Sequence, residues 1–330
     1  VPRETGHGTG ILKPMPKSYL IAICAGLLSL VAAMPALNGA PGGLLLFYVA
    51  ALPIYMAGFA FGATAGTVAT LSGFVAATAL GGVLVAGVFA LVHLLPAWTV
   101  IRQAMLQRTA PDGHTEWMAP GPIVAGLSGM AATMMLLAGL VFYANGTGLS
   151  TIVTDRLTDV LAAVSPNTPQ AARDEMVALY GPLLPASLGS SWVIMALVSA
   201  AVAQAFLARM GRNLRPTPRY ANMVLPEWIS WAMVGTALVS LVASGEVQFL
   251  ARNLTLALAV PFFLLGLAVI HHWARRVRNG TLALVAVYFL IFIVGWAGLL
   301  VTAAVGVLEQ WGGIRHRLTG PAGGTSPHDD

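Results

Sequence analysis

The sequence is nearly empty of cysteine and poor in charge. Cys24 is the only cysteine among 330 residues, so neither a disulfide framework nor a thiolate metal site can form within one chain. It reads as a small residue of the first apolar segment. Charged residues make up 9% of the chain, against about 25% in soluble domains, too few to cover a water-facing surface. No GxxxxGK[ST] loop, HExxH, GxSxG or CxxC occurs, so catalysis has no visible seat, the chain reads as non-enzymatic and no cofactor or metal is expected. Scattered interfacial carboxylates such as Glu116 and Glu227 are the one remaining route to membrane enzymology. Carboxylates are also missing from the middle of the apolar segments, which argues against a proton pump built on an acidic relay.

What is abundant is apolar surface. Hydrophobic residues reach 57% and the mean hydropathy is +0.80. The 36 Gly and 20 Pro follow no period, which excludes collagen and low-complexity disorder. The composition is that of an integral membrane protein. Its formal net charge of +5 comes from short arginine clusters between apolar runs, which indicates membrane orientation and lipid contact, not nucleic-acid binding.

From Ser18 to Ile101 no Asp, Glu, Lys or Arg occurs. A helix crosses about 30 Å of hydrocarbon with roughly 20 residues, so this run holds four spans, near 18–37, 43–61, 63–80 and 83–101. Later spans fall near 121–144, 184–208, 225–244, 250–272 and 281–308. The fold class is therefore all-α, a polytopic transmembrane helix bundle of about nine spans, within a range of eight to ten. Segment 1–17 precedes the first span, which reads as a retained signal anchor. With the N-terminus cytoplasmic, the inner segments carry twelve Lys and Arg against four outside, the asymmetry of a multi-pass membrane protein. This arrangement puts Arg315 and Arg317 outside. A bend at Gly295-Trp296-Ala297-Gly298 would bring them back, but each half would be about 21 Å long at 1.5 Å per residue, so one long helix is expected over 281–308. Tyr19, Trp98, Tyr143, Trp228, Trp231, Trp273 and Trp311 mark interfacial ends, while Trp192 and Trp296 read as packing residues.

The outer segment 145–183 shows helical spacing at Val153, Leu157, Val160, Leu161 and Val164. A second helix opens at Thr168-Pro169 and stops at Gly181-Pro182. Two short amphipathic helices should result, acting as a plug on the helix ends or as a lid over a cavity. The tail within 309–330 is expected to be mostly disordered.

Gly58, Gly62 and Gly66 fall at spacing four, Ala69, Gly73 and Ala77 continue at that spacing, and Gly82 repeats it with Ala86 and Ala90 on the next span; Gly58, Gly62, Gly66, Gly73 and Gly82 are candidate helix-packing positions. His93 is the only titratable group well inside the first four spans and reads as a hydrogen-bonded packing residue. His271 and His272 end the eighth span, with no matched pair to hold haem. Arg209, Arg212, Arg215 and Arg219 flank one inner loop, and Arg275, Arg276 and Arg278 fill another; these seven are candidate lipid contacts.

Several segments together resemble a known family. They are Leu95-Pro96-Ala97-Trp98 with Arg102, Glu116-Trp117, Pro120-Gly121 and Leu179-Tyr180-Gly181-Pro182. Arg215-Pro216-Thr217-Pro218, Leu225-Pro226-Glu227-Trp228, Pro261 to His271, and Leu308-Glu309-Gln310-Trp311 before Arg315 complete the set. They resemble the YybS-like family of bacterial inner-membrane proteins in its alphaproteobacterial form. Through that family the resemblance reaches the substrate-binding components of energy-coupling-factor transporters and the rod-shape protein MreD. It implies a six-helix module over 18–208 with three added helices over 209–308, and it carries over no catalytic residue. Where such components dock through small residues on helix one, this chain has Ala22 and Gly26. The resemblance implies a non-catalytic component that binds a small solute or lipid in a cavity among the first six helices. The alternative is a scaffold that gathers membrane-protein partners, as MreD does.

Overall fold

In hydrocarbon the backbone has no partner but itself, so apolar runs of this length form helices. The computed structural model describes residues 16–37 and 39–315. The expected loose N-terminus and most of the tail lie outside the described residues. The helices are α1 (Lys17–Leu37), α2 (Gly43–Val49), α3 (Leu52–Phe61), α4 (Ala63–Phe89), a π-helical turn (Ala90–Leu94), α5 (Leu95–Ala104), α6 (Pro120–Ala144), α7 (Leu149–Val164) and α8 (Gln170–Tyr180). They continue as α9 (Leu184–Arg209), α10 (Glu227–Val242), α11 (Gly245–Leu258), α12 (Val260–Ala274), α13 (Gly280–Val294) and α14 (Trp296–Gly312). A hairpin of β1 (Gln107–Thr109) and β2 (Thr115–Trp117) stands apart from this all-helical pattern, with Arg108 opposite Glu116. Among the described residues six segments are long and apolar enough to cross a membrane: 17–36, 43–61, 63–104, 120–144, 170–209 and 245–274. The protein is a multi-pass membrane protein.

Segment 63–104 has 42 residues, about 63 Å of helix at 1.5 Å per residue, twice the hydrocarbon thickness. It divides at Gly82, where φ 77 and ψ 177 interrupt the helix. Only glycine reaches that region without a steric penalty. The two arms fold against each other, for Gly73 faces Phe89 and Leu94.

The described chain forms two compact units, one of residues 16–102 and 199–215, the other of 103–198 and 216–315. This division does not run at residue 208.

In the first unit α1 packs on α4. A side chain at Gly26 would overlap the Ala69 carbonyl, and Ser72 Oγ donates to the Ile23 carbonyl at 3.3 Å. The Ala22–Gly26 face of α1 is thus spent inside the unit. Gly58 and Gly66 both lie against Ile101, so three of the five candidate packing glycines, with Gly73, sit at close approaches. Gly62 and Gly82 do not. Each has positive φ, and each makes a turn between helices instead of a packing surface.

In the second unit Val124, Leu225, Ile229, Leu258, Phe262 and Leu265 form the apolar core. Buried Asn253 fastens the start of α9: its Oδ1 accepts from the Ala186 amide at 3.0 Å, and its Nδ2 donates to the Pro182 carbonyl at 3.0 Å. The two helices expected in the outer segment are present as α7 and α8. Glu246 ties the first of them down by accepting from the Ser150 amide at 3.1 Å and from the Ser150 hydroxyl.

The expected single helix over 281–308 is two helices. Gly295 (φ 61, ψ −126) breaks it, and α14 returns alongside α12. Gly266 abuts Thr302 and Gly306, while Gly306 abuts Phe262 and Gly266, so the two helices are in backbone contact, and they run parallel, for His272 at the end of α12 lies in electrostatic reach of Glu309 and Arg315 at the end of α14. The end of α14 therefore lies beside the loop before α10, on the side opposite the one expected for Arg315. Trp296, expected in the packing, is exposed beside the turn.

Gly306→Leu should cost about 1–3 kcal/mol or more through overpacking, seen as earlier thermal unfolding in detergent. Gly235→Leu, where a Cβ meets nothing within 4 Å, should leave the transition in place.

Candidate functional site

The loop before α10 is shaped by Pro216 and Pro218, makes a 3-10 turn at Tyr220–Asn222, and ends at Pro226, whose fixed φ leads into α10. Its carbonyls have no helical partners and need others. The end of α14 supplies them. Gly313 stops that helix in the left-handed conformation, and the chain turns back so that the Arg315 amide donates to Glu309 Oε2 at 2.9 Å. The guanidinium then spans the gap: Nε donates to Glu309 Oε1 at 2.7 Å, Nη1 to the Ala221 carbonyl at 2.6 Å and Nη2 to the Met223 carbonyl at 2.8 Å. Gln310 Nε2 donates to the Leu225 carbonyl at 3.2 Å. Both charged side chains are buried, Glu309 at 4% exposure and Arg315 at 13%.

Above this clip opens a cleft of about 480 Å³, lined among others by Leu225, Glu227, Ser230, Trp231, Leu265 and Trp311. Glu227, Ser230 and Trp231 share one face of α10, three and four residues apart. Ser230 is 2% exposed, yet its hydroxyl has no hydrogen-bond partner among the described residues. Trp231 and Trp311 are 68% and 61% exposed at the rim. The arrangement is a rigid polar floor, one unsatisfied hydroxyl and an aromatic mouth.

Arg275, Arg276 and Arg278 are brought together and exposed after α12, and Arg219 is exposed before α10. Arg209 and Arg212 are exposed on the first unit, whereas Arg215 is buried at 5%. His271 Nδ1 pairs with the Leu267 carbonyl at 2.9 Å. His93, expected to be hydrogen-bonded, is buried with neither ring nitrogen partnered among the described residues. It sits in the π-helical turn with its ring 4.5 Å from Phe47 and 5.5 Å from Phe89. Among the described residues no group of three His, Cys, Asp or Glu is gathered for a metal. The cleft lies at the α6 end opposite the 145–183 segment, since Gly121 at the start of α6 abuts Val224. Sequence reasoning placed a cavity elsewhere and missed both Ser230 and the clip. The only local sign of the clip is a Glu and an Arg six residues apart across Gly312-Gly313.

Arg315→Gln or Glu309→Gln alone leaves one charge buried and unpaired, and each should cost about 3–5 kcal/mol. The double replacement should cost less than the sum of the two, a non-additivity that a double-mutant cycle followed by denaturant unfolding will measure.

No curated protein and no solved structure matches the chain. The model of the DUF2232 family, described as a predicted membrane protein, matches residues 22–308. A match over most of the sequence, on a chain whose helices are built to cross a membrane, shows that the protein belongs to the DUF2232 family of predicted membrane proteins.

Proposed function

We propose that this is a non-catalytic bacterial inner-membrane protein that holds a lipid or lipid-like small molecule in the cleft between α10 and the end of α14. The observation that carries the reading is the Ser230 hydroxyl, buried without a partner in a cavity. An unsatisfied buried polar group costs about 1–3 kcal/mol, a cost that a ligand atom in the cleft removes. The volume falls in the range of small-ligand pockets, about 300–1,000 Å³. The Trp rim fits the depth of the membrane interface. The resemblance to YybS-like proteins, and through them to transporter substrate-binding components, favours the same class of role. A cytoplasmic N-terminus remains the orientation favoured by the arginines. The return of α14 strengthens it, because Arg315 then joins Arg219, Arg275, Arg276 and Arg278 on the cytoplasmic side.

A second reading, a scaffold for envelope proteins like MreD, has its own support. α13 has no buried residue, and Phe292 is 84% exposed, so this helix faces lipid or a partner helix. In-membrane crosslinking from α13 followed by purification should bring down a stoichiometric partner if the scaffold reading holds, and lipid alone if it does not.

A thermal-shift panel of vitamins, metals and lipids on the purified chain tests the first reading. At least one ligand should raise the melting temperature of the wild type and not of Ser230→Leu; a flat panel refutes it. Replacing Arg275, Arg276 and Arg278 with Gln should weaken cardiolipin retention several-fold, at about 1 kcal/mol per arginine, as lipid mass spectrometry will show. The same replacement should make the labelling of Asn279→Cys from the two sides less one-sided.

A further inference from the structure

We propose that the cleft selects a positively charged ammonium group, as carried by an aminophospholipid headgroup, over an anionic one. The inference rests on the reading of the cleft as a binding site and names its ligand chemistry.

The cation of the site is committed elsewhere. Arg315 faces Glu309 and two backbone carbonyls at 2.6–2.8 Å, so its charge neutralises Glu309 and its donors point into the floor. Gln310 is likewise turned to the Leu225 carbonyl. Glu227 is exposed in the first turn of α10 and has no ion pair or hydrogen bond among the described residues. It stands in the position where the helix dipole favours a negative charge, and it would repel an anion arriving there. With Glu309 and Arg315 cancelling, the lining is left with one negative charge.

The rest of the lining matches a cation. Trp231 and Trp311 come from different helices and flank the mouth. Indole faces attract ammonium groups, the more so where water is excluded. The Ser230 hydroxyl has no partner of either kind among the described residues, and its lone pairs are free to accept. A primary ammonium has three N–H donors, enough for the Glu227 carboxylate, the Ser230 oxygen and an indole face together. The apolar rim of Val224, Trp231 and Trp311 is exposed, which suits a ligand whose acyl chains stay in the bilayer.

The test is lipid titration of the full chain by native mass spectrometry. Phosphatidylethanolamine, its N-acetyl derivative and phosphatidylglycerol are compared with identical acyl chains, and occupancy of the cleft is followed independently by quenching of Trp231 and Trp311 with brominated chains. Phosphatidylethanolamine should bind about tenfold more tightly than the N-acetyl form, the loss expected for one charge-assisted interaction. Glu227→Gln should remove most of that preference and tighten phosphatidylglycerol binding, because the repelling charge is gone. Should Glu227→Gln fail to fold, Ser230→Ala, which keeps both indoles, is read in the same way. Displacement by millimolar phosphoethanolamine supports the ammonium site and identifies a soluble headgroup as sufficient; absence of displacement, with the lipid preference intact, supports the lipid as its source. Equal binding of all three lipids with quenching retained overturns the ammonium inference alone. No binding and no quenching overturns it together with the binding-site reading.

Discussion

The Glu309–Arg315 pair is the interaction on which the second unit depends. Two charges buried in a low-dielectric interior persist only when they are paired and further hydrogen bonds support them. Arg315 meets that condition by reaching across to the Ala221 and Met223 carbonyls, 94 and 92 residues earlier in the chain. The reach requires that α14 end beside the loop before α10. That in turn requires the reversal at Gly295 and the parallel seating of α14 on α12. One guanidinium thus links the end of the described chain, an irregular loop and the choice between one long helix and two.

Packing density varies along the same helix pair, and the variation has a use. At Gly266 and Gly306 the backbones of α12 and α14 touch, and a single methyl group would not fit. Toward the end of α14 the cleft opens, floored by the clip and rimmed by indoles. A rigid floor under an open mouth keeps polar groups aimed without letting them satisfy one another, as the Ser230 hydroxyl illustrates. His93 makes the contrast. It too is buried without a partner, but Phe47 and Phe89 close on its ring, so it belongs to packing in a π-helical turn.

Hydropathy made the membrane class legible because transfer of side chains into hydrocarbon is close to additive along a segment. Breaks at Gly62 and Gly82 were legible as ends of spans, and the amphipathic pair in 145–183 was legible from spacing. The error at Gly295 came from treating each half of 281–308 as if it had to cross alone. α13 and α14 have 15 and 17 residues, about 22 and 25 Å of helix. A helix that short is stabilised by a neighbour, and the neighbour, α12, cannot be read from the length of α14.

Composition and periodicity alone determined that the chain is helical, that it crosses a membrane several times, and where most of its helices begin and end. These depend on the preference of each residue for lipid or water, which is local. The tertiary structure alone decided that Gly266 is a contact, that Arg215 is buried, that Arg315 stands beside Met223, and that Ser230 has no partner among the described residues. Each of these depends on which groups meet across tens of residues of chain. A hydrogen bond or a close approach is a property of the pair, and neither member carries a sign of it in its own segment.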